Sequence, residues 1–177
     1  PAPTLGAGYA DGLVRLQCVR KRIPVAAFPA ERGARVLPEL QKIFPHIVPA
    51  LSALETGMAG LNMLIHFPLV LVNVGWCERA LAAGEPVPLY GPGATDAVGS
   101  LAAAQDLERE RAAAACGVPW RSMATYLKDY YGARGDTLAQ IVRQTPYYQA
   151  LPPYPASVWK TWLATDIPNA HVPFVEI

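Results

Sequence analysis

The stretch Asn62-Met63-Leu64-Ile65-His66-Phe67-Pro68-Leu69-Val70-Leu71-Val72-Asn73-Val74-Gly75 decides the fold class of this chain. It lies in a longer run, residues 49–83, that is almost wholly apolar or small and lacks the alternation a half-buried strand requires. Between Glu55 and Glu78 no side chain carries a formal charge. The run therefore predicts one long buried helix, kinked at Pro68, where the backbone loses a donor and gains a ring. At 3.6 residues per turn, Asn62, His66 and Asn73 fall within about 40° of one another and form a polar stripe. An unsatisfied buried amide or imidazole costs roughly 1–3 kcal/mol, so the stripe predicts either polar contacts between helices or a cavity.

Upstream, Leu13, Arg15 and Gln17 alternate with Val14, Leu16 and Cys18, and Pro24 to Phe28 follow. This reads as two short strands within residues 12–28, with Pro24 near the start of the second, where a missing donor is tolerated. A helix is predicted from Glu31 to Ile43, with Val36, Leu37, Leu40 and Ile43 on its inner face and Pro45 ending it. Downstream, Gly84 to Gly93 is a loop rich in Gly and Pro. Thr95 or Asp96 can cap a helix reaching Ala115, stopped by Gly117 and Pro119. Further helices are predicted over residues 122–131, 137–144 and 157–164. The expected fold is mainly α, a helical bundle over residues 47–177 preceded by a short α/β segment over residues 1–46.

In Thr165-Asp166-Ile167-Pro168 a carboxylate stands just past a helix bearing Trp159 and Trp162, before an expected extended Ile-Pro step. Paired with His66, it would orient the ring and favour its protonated form, as acid–base work requires.

The 177 residues are 52% hydrophobic and 16% charged, with a formal net charge of +1. Such a chain buries surface rather than staying disordered, and it has no general pull toward nucleic acid or anionic lipid. Cys18, Cys77 and Cys116 are odd in number and lack CxxC spacing, which argues against a disulfide framework or a zinc site and for a reducing cytoplasm. Gly57 to Trp76 is uncharged and of spanning length, but two Asn, one His and one Pro at bilayer depth weigh against a membrane protein. The start Pro1-Ala2-Pro3-Thr4 shows no secretory signal and no initiator Met, and the chain stops at Ile177 straight after an apolar segment. A piece of a longer product is expected.

Asn62 to Pro68, followed by Leu71 to Gly75, resembles the core motif of the octopine and nopaline dehydrogenase family. Val25 to Ala30 and Leu40 to Pro45 resemble that family's interdomain region. Asp106 to Arg109 is similar to its acidic-arginine helix, and Asp166-Ile167-Pro168 with Val172-Pro173 to its closing motif. The resemblance implies a helical domain of the type found at the C-terminus of 6-phosphogluconate and glycerol-3-phosphate dehydrogenases, preceded by the last strands and helix of a Rossmann domain. It implies reductive condensation of an amino acid with a 2-oxo acid, using NAD or NADP, with His66 as acid–base and Asp166 its partner. The family often places an arginine five residues before the closing aspartate to clamp a substrate carboxylate. Here that position is Thr161, beside Lys160, so the expected substrate-binding residues are Asn62, Asn73, Lys160 and Thr161. Gly60 stands where many relatives carry a polar residue.

No GxGxxG follows a strand and opens a helix, so neither cofactor-binding nor metal-binding residues are expected in this chain. The expected partners are an amino acid, a 2-oxo acid, the protein's own N-terminal Rossmann domain and a second copy in a homodimer, with no nucleic acid and no membrane. By itself the chain is expected to oxidise little or no NAD(P)H. The alternative reading is a non-catalytic helical binding or dimerisation module.

Overall fold

The computed structural model describes residues 4–176, excluding the side chains of residues 4–10, 15, 17 and 18. The expectations about the chain ends fall on residues 1–3 and 177, outside the described residues. Strands β1 (Thr4–Ala10) and β2 (Leu13–Val19) form an antiparallel hairpin around Asp11-Gly12. Both turn residues have left-handed φ, 53° and 75°, as a two-residue loop that follows the strand twist demands. β1 lies outside the strands expected from alternation, because its Gly- and Ala-rich sequence carries none. Gly6-Ala7-Gly8 sits inside that strand.

Strand β3 (Ile23–Val25) pairs in parallel with β4 (Ile47–Pro49), and α1 (Gly33–Ile43) makes the crossover between them. Ile23, Leu37 and Ile47 form a small core of their own, flanked by Val25 and Leu40. Ile43, expected on the inner face of α1, points to solvent.

The single helix expected over residues 49–83 is divided. β4 takes its start, and α2 (Ala53–Met58) and α3 (Asn62–Ala83) share the rest. The Ser52 hydroxyl caps α2 by accepting from the Glu55 N–H at 3.2 Å, while the Glu55 carboxylate accepts from the Leu51 N–H at 2.7 Å. At the other end of α2, the Met58 carbonyl accepts from Arg109 Nη1 at 2.6 Å. That bond draws the last carbonyl of α2 into a tertiary contact, which propensity alone could not reveal. α3 then runs on through Pro68 without a break.

The main core surrounds α3, whose buried residues run from Met63 to Ala80. α3 packs against α4 (Asp96–Ala115) and α8 (Val158–Asp166). Ala53–Ala83 is long and apolar enough to cross a membrane by length and composition, with mean hydropathy 1.6. In the fold this span is divided into α2 and α3, and α3 is the central helix of the core, its Leu64, Ile65, Leu69 and Val70 covered by protein.

After α3, β5 (Pro86–Val87) pairs antiparallel with β6 (Tyr154–Pro155), and α4, α5 (Met123–Tyr131), α6 (Leu138–Gln144) and α7 (Pro146–Gln149) lie between them in sequence. Thr95, Ser122 and Thr137 cap α4, α5 and α6, and Thr137 with Gln140 completes a capping box. After α8 the expected extended step at Ile167-Pro168 is absent. The chain stays helical through a π-turn (Ile167–His171) into α9 (Val172–Val175). Pro168 offers no N–H and its ring crowds the preceding turn, and widening the helix relieves both: the Val172 N–H reaches back five residues to the Ile167 carbonyl.

Candidate active site

His66 lies in the first turns of α3, where the helical period turns it with Met63 and Val70 toward the core. Its ring is held on three sides. Nδ1 is 2.6 Å from the Asp166 carboxylate, Nε2 is 2.8 Å from the Tyr90 hydroxyl, and Trp162 stacks flat on the imidazole with centroids 3.9 Å apart and 8° between planes. Trp162 and Asp166 stand four residues apart on α8, so one helix face supplies both the stacking surface and the carboxylate.

The partners settle the tautomer. A carboxylate only accepts, so Nδ1 carries a proton, and Nε2 is left to accept from the Tyr90 phenol or, when the ring is charged, to donate to it. Burial raises the Tyr90 pKa well above that of an ordinary phenol, with smaller contributions from Tyr148, Tyr154, Tyr147 and the Asp166 charge. Tyr90 thus remains a neutral hydrogen-bonding group. Nε2 is the atom where a proton can be held or given.

Tyr90 stands on the Gly- and Pro-rich loop between β5 and α4, and two side chains fasten that loop. Asn73 Nδ2 donates to the Leu69 carbonyl at 2.8 Å and to the Gly93 carbonyl at 2.9 Å, and Arg143 Nη1 donates to the Ala94 carbonyl at 2.6 Å. Gly93 is tightly enclosed, for a Cβ there would sit 2.5 Å from the Leu89 carbonyl oxygen. Asn73→Ala should therefore lower stability by about 1–3 kcal/mol, the penalty for unpairing buried carbonyls. Urea denaturation checks this, and an unchanged midpoint contradicts it.

His66, Tyr90, Trp162 and Asn62 line a cavity of about 540 Å³. Its wall is strongly aromatic. Tyr148 stacks on Tyr90 with centroids 4.2 Å apart, and Tyr154 meets Trp162 edge-on. The end of α2 and the break before α3, residues 57–61, also line the cavity, and a buried ion pair supports them. Arg109 Nη2 donates to Asp106 at 2.6 Å, Asp106 also accepts from the Met123 N–H at 2.6 Å, and Arg109 bonds the Met58 and Arg121 carbonyls. The acidic-arginine segment of α4 is thus a staple joining α2, α4 and α5.

The structure brings together His66 and Asp166, one hundred residues apart in sequence, and puts Asn62 in the same cavity. It directs Asn73 to the loop behind the site. Lys160 and Thr161 are exposed and outside the cavity lining, with the Lys160 ammonium 5.5 Å from the Trp159 ring centroid. Tyr90 and Arg20, both in the lining, went unnoticed in sequence. A lone Tyr among Gly and Pro and an Arg after a strand carry no signal of their own. Among the described residues, no group of three His, Cys, Asp or Glu side chains could hold a metal ion.

Residues 49–177 match the family described as NAD/NADP octopine/nopaline dehydrogenase, alpha-helical domain. The chain is also similar to an opine dehydrogenase of Arthrobacter sp. (strain 1C), 26% identical over 166 residues that cover 94% of this chain and 45% of that relative. It therefore spans less than half the length of the curated relative it matches. The family match takes in α3 with His66, the loop with Tyr90 and α8 with Asp166, and so the chain belongs to the octopine/nopaline dehydrogenase family, whose α-helical domain it carries.

Proposed function

We propose that this chain is the substrate-binding and proton-transferring unit of an opine-type NAD(P)H-dependent oxidoreductase, one that condenses an amino acid with a 2-oxo acid and reduces the product. The observation that carries this reading is His66, held between Asp166 and Tyr90 at the wall of a cavity of about 540 Å³. The amine adds to the ketone to give a carbinolamine, and His66 Nε2 protonates the hydroxyl that leaves as water. Asp166 stabilises the imidazolium beforehand and keeps Nε2 directed away from itself. The resulting iminium ion, its nitrogen still carrying a proton, accepts hydride at carbon and becomes a secondary amine.

Both glycine-rich segments of the chain are committed to other structure. Gly6-Ala7-Gly8 lies inside a hairpin strand, and Gly91-Pro92-Gly93 is packed beneath Asn73. The reading therefore assigns the reductant to a separate nucleotide-binding domain joined to residues 1–46. Two features support such a neighbour. β3 and β4 form a two-stranded parallel ladder, a pairing otherwise met within larger covered sheets. The β1–β2 hairpin exposes Leu13 at 73% and Val14 at 63%, and a lone hairpin is marginal in water. The outer face of α3, with Leu71 at 51% exposure, supports a homodimer contact as part of the same reading. The free thiols Cys77 and Cys116 suit a reducing cytoplasm.

A protein joining this chain to its nucleotide-binding domain should oxidise NADH or NADPH only when an amino acid and a 2-oxo acid are both supplied. Mass spectrometry should then find the secondary amine. Oxidation with the 2-oxo acid alone would make the protein a hydroxy-acid dehydrogenase instead.

A further inference from the structure

Lys160 and Thr161 lie outside the cavity lining, so a carboxylate bound there needs another cation, and the lining contains one. Of the lining residues Arg20 alone bears a permanent charge, and none is Asp or Glu. Arg20 follows β2, and the backbone beside it is fixed by the Lys21 N–H donating to the Tyr130 carbonyl at 3.3 Å. Its guanidinium carbon sits 5.9 Å from the centre of the Tyr130 ring and 6.0 Å from that of Tyr131, so two aromatic faces hold the side chain. Its Nε is buried and has no hydrogen-bond partner. No carboxylate among the described residues forms an ion pair with it. A buried donor left open in this way is expected where a ligand brings the acceptor. The first turn of α3 borders the same cavity, and Leu61 gives it no side-chain cap, so the positive end of a 22-residue helix adds to the local field.

The rest of the wall specifies what accompanies the carboxylate. Met58, Met63, Tyr131, Tyr147, Tyr148 and Phe174 are apolar or aromatic, and burial pushes the phenol of Tyr148 far above its ordinary range, so it stays neutral. A cationic substrate side chain would find no carboxylate there.

We propose that Arg20 binds the α-carboxylate of the amino-acid substrate and that the substrate's side chain is uncharged and apolar, lodged against this aromatic wall. The proposal rests on the opine-type reading, since it assigns one of that reaction's two substrates to a place in the cavity.

Calorimetric titration of the chain with 3-phenylpropionate, which has the carboxylate and an apolar group but no amine, tests it directly. The expected result is saturable binding that weakens about 10- to 100-fold in Arg20→Gln, the loss for hydrogen bonds to a charged group. Arg20→Lys should fall between, keeping the charge but not the fork. Phenethylamine, which has no carboxylate, should not compete. Equal binding to wild type and Arg20→Gln, no binding at all, or displacement by inorganic phosphate at equal concentration would each overturn the proposal, the last by marking Arg20 as a nucleotide-phosphate site. Should the glutamine variant fail to fold, unchanged binding in Arg20→Lys overturns it equally. In the protein that also carries the nucleotide-binding domain, Arg20→Gln should raise KM for the amino acid far more than it lowers kcat. If that protein has no amino-acid-dependent activity, the opine reading fails, while the titration still decides whether Arg20 holds a carboxylate.

Discussion

Replacing His66 by glutamine, in a protein that carries this chain together with the proposed nucleotide-binding domain, is expected to lower turnover by about 10²- to 10⁴-fold, the span that positioned acid–base catalysis supplies. Glutamine is the informative choice. Its amide can still donate to Asp166 and meet the Tyr90 hydroxyl, now 2.6 Å and 2.8 Å from the ring nitrogens, so the buried hydrogen bonds largely survive. What is lost is a ring nitrogen that can both take up and give a proton. The loss should fall on kcat without a matching rise in KM, because the proton is needed at the transition state rather than for binding. Steady-state kinetics on a variant with unchanged thermal unfolding checks this. Full turnover would reduce the polar stripe of α3 to packing.

Truncating Arg109 to alanine should destabilise the fold by about 3–5 kcal/mol, as for a buried ion pair deprived of one partner. Both side chains are inside, Arg109 being 3% and Asp106 6% exposed. Removing the guanidinium strands the Asp106 charge and leaves the Met58 and Arg121 carbonyls without their donor. Met58 borders the cavity, so the lining there should loosen as well. Denaturant unfolding measures the loss, and less than about 1 kcal/mol would show that water replaces the staple freely. Substituting Asp106 and Arg109 together by apolar residues of similar volume should restore part of the stability, since no unpaired charge then remains.

What the sequence disclosed about this molecule follows the range of the forces involved. α4, α5 and α6 begin where Thr95, Ser122 and Thr137 stand, because a cap is a contact within one turn and is written in adjacent residues. The division of the apolar run into α2 and α3 was hidden, since the carbonyl of Met58 is bound by a side chain 51 residues away. The hairpin turn did have a local mark, Asp11-Gly12, but a first strand of Gly and Ala offered no alternation to go with it.

The candidate site divides along the same line. His66 stood out as a polar residue in an apolar helix, and the resemblance to a dehydrogenase family named Asp166 as its partner; the structure brings the two within hydrogen-bonding distance. Asn73 shares the helical face of His66 but lies two turns further along, where it meets the Gly93 loop instead of the cavity. Lys160 and Thr161 were placed by their distance in sequence from Asp166, whereas on α8 the inward face belongs to Trp162 and Asp166. Tyr90 reaches His66 only because its loop folds back over α3.

The most direct test of the account is a double-mutant cycle on turnover with His66→Gln, Asp166→Asn and both together. If the carboxylate acts through the imidazole, the double variant should be about as slow as His66→Gln alone, because residues that work as one unit lose their effect once. Losses that multiply would show that the two side chains act independently and would contradict the assignment of a single acid–base couple.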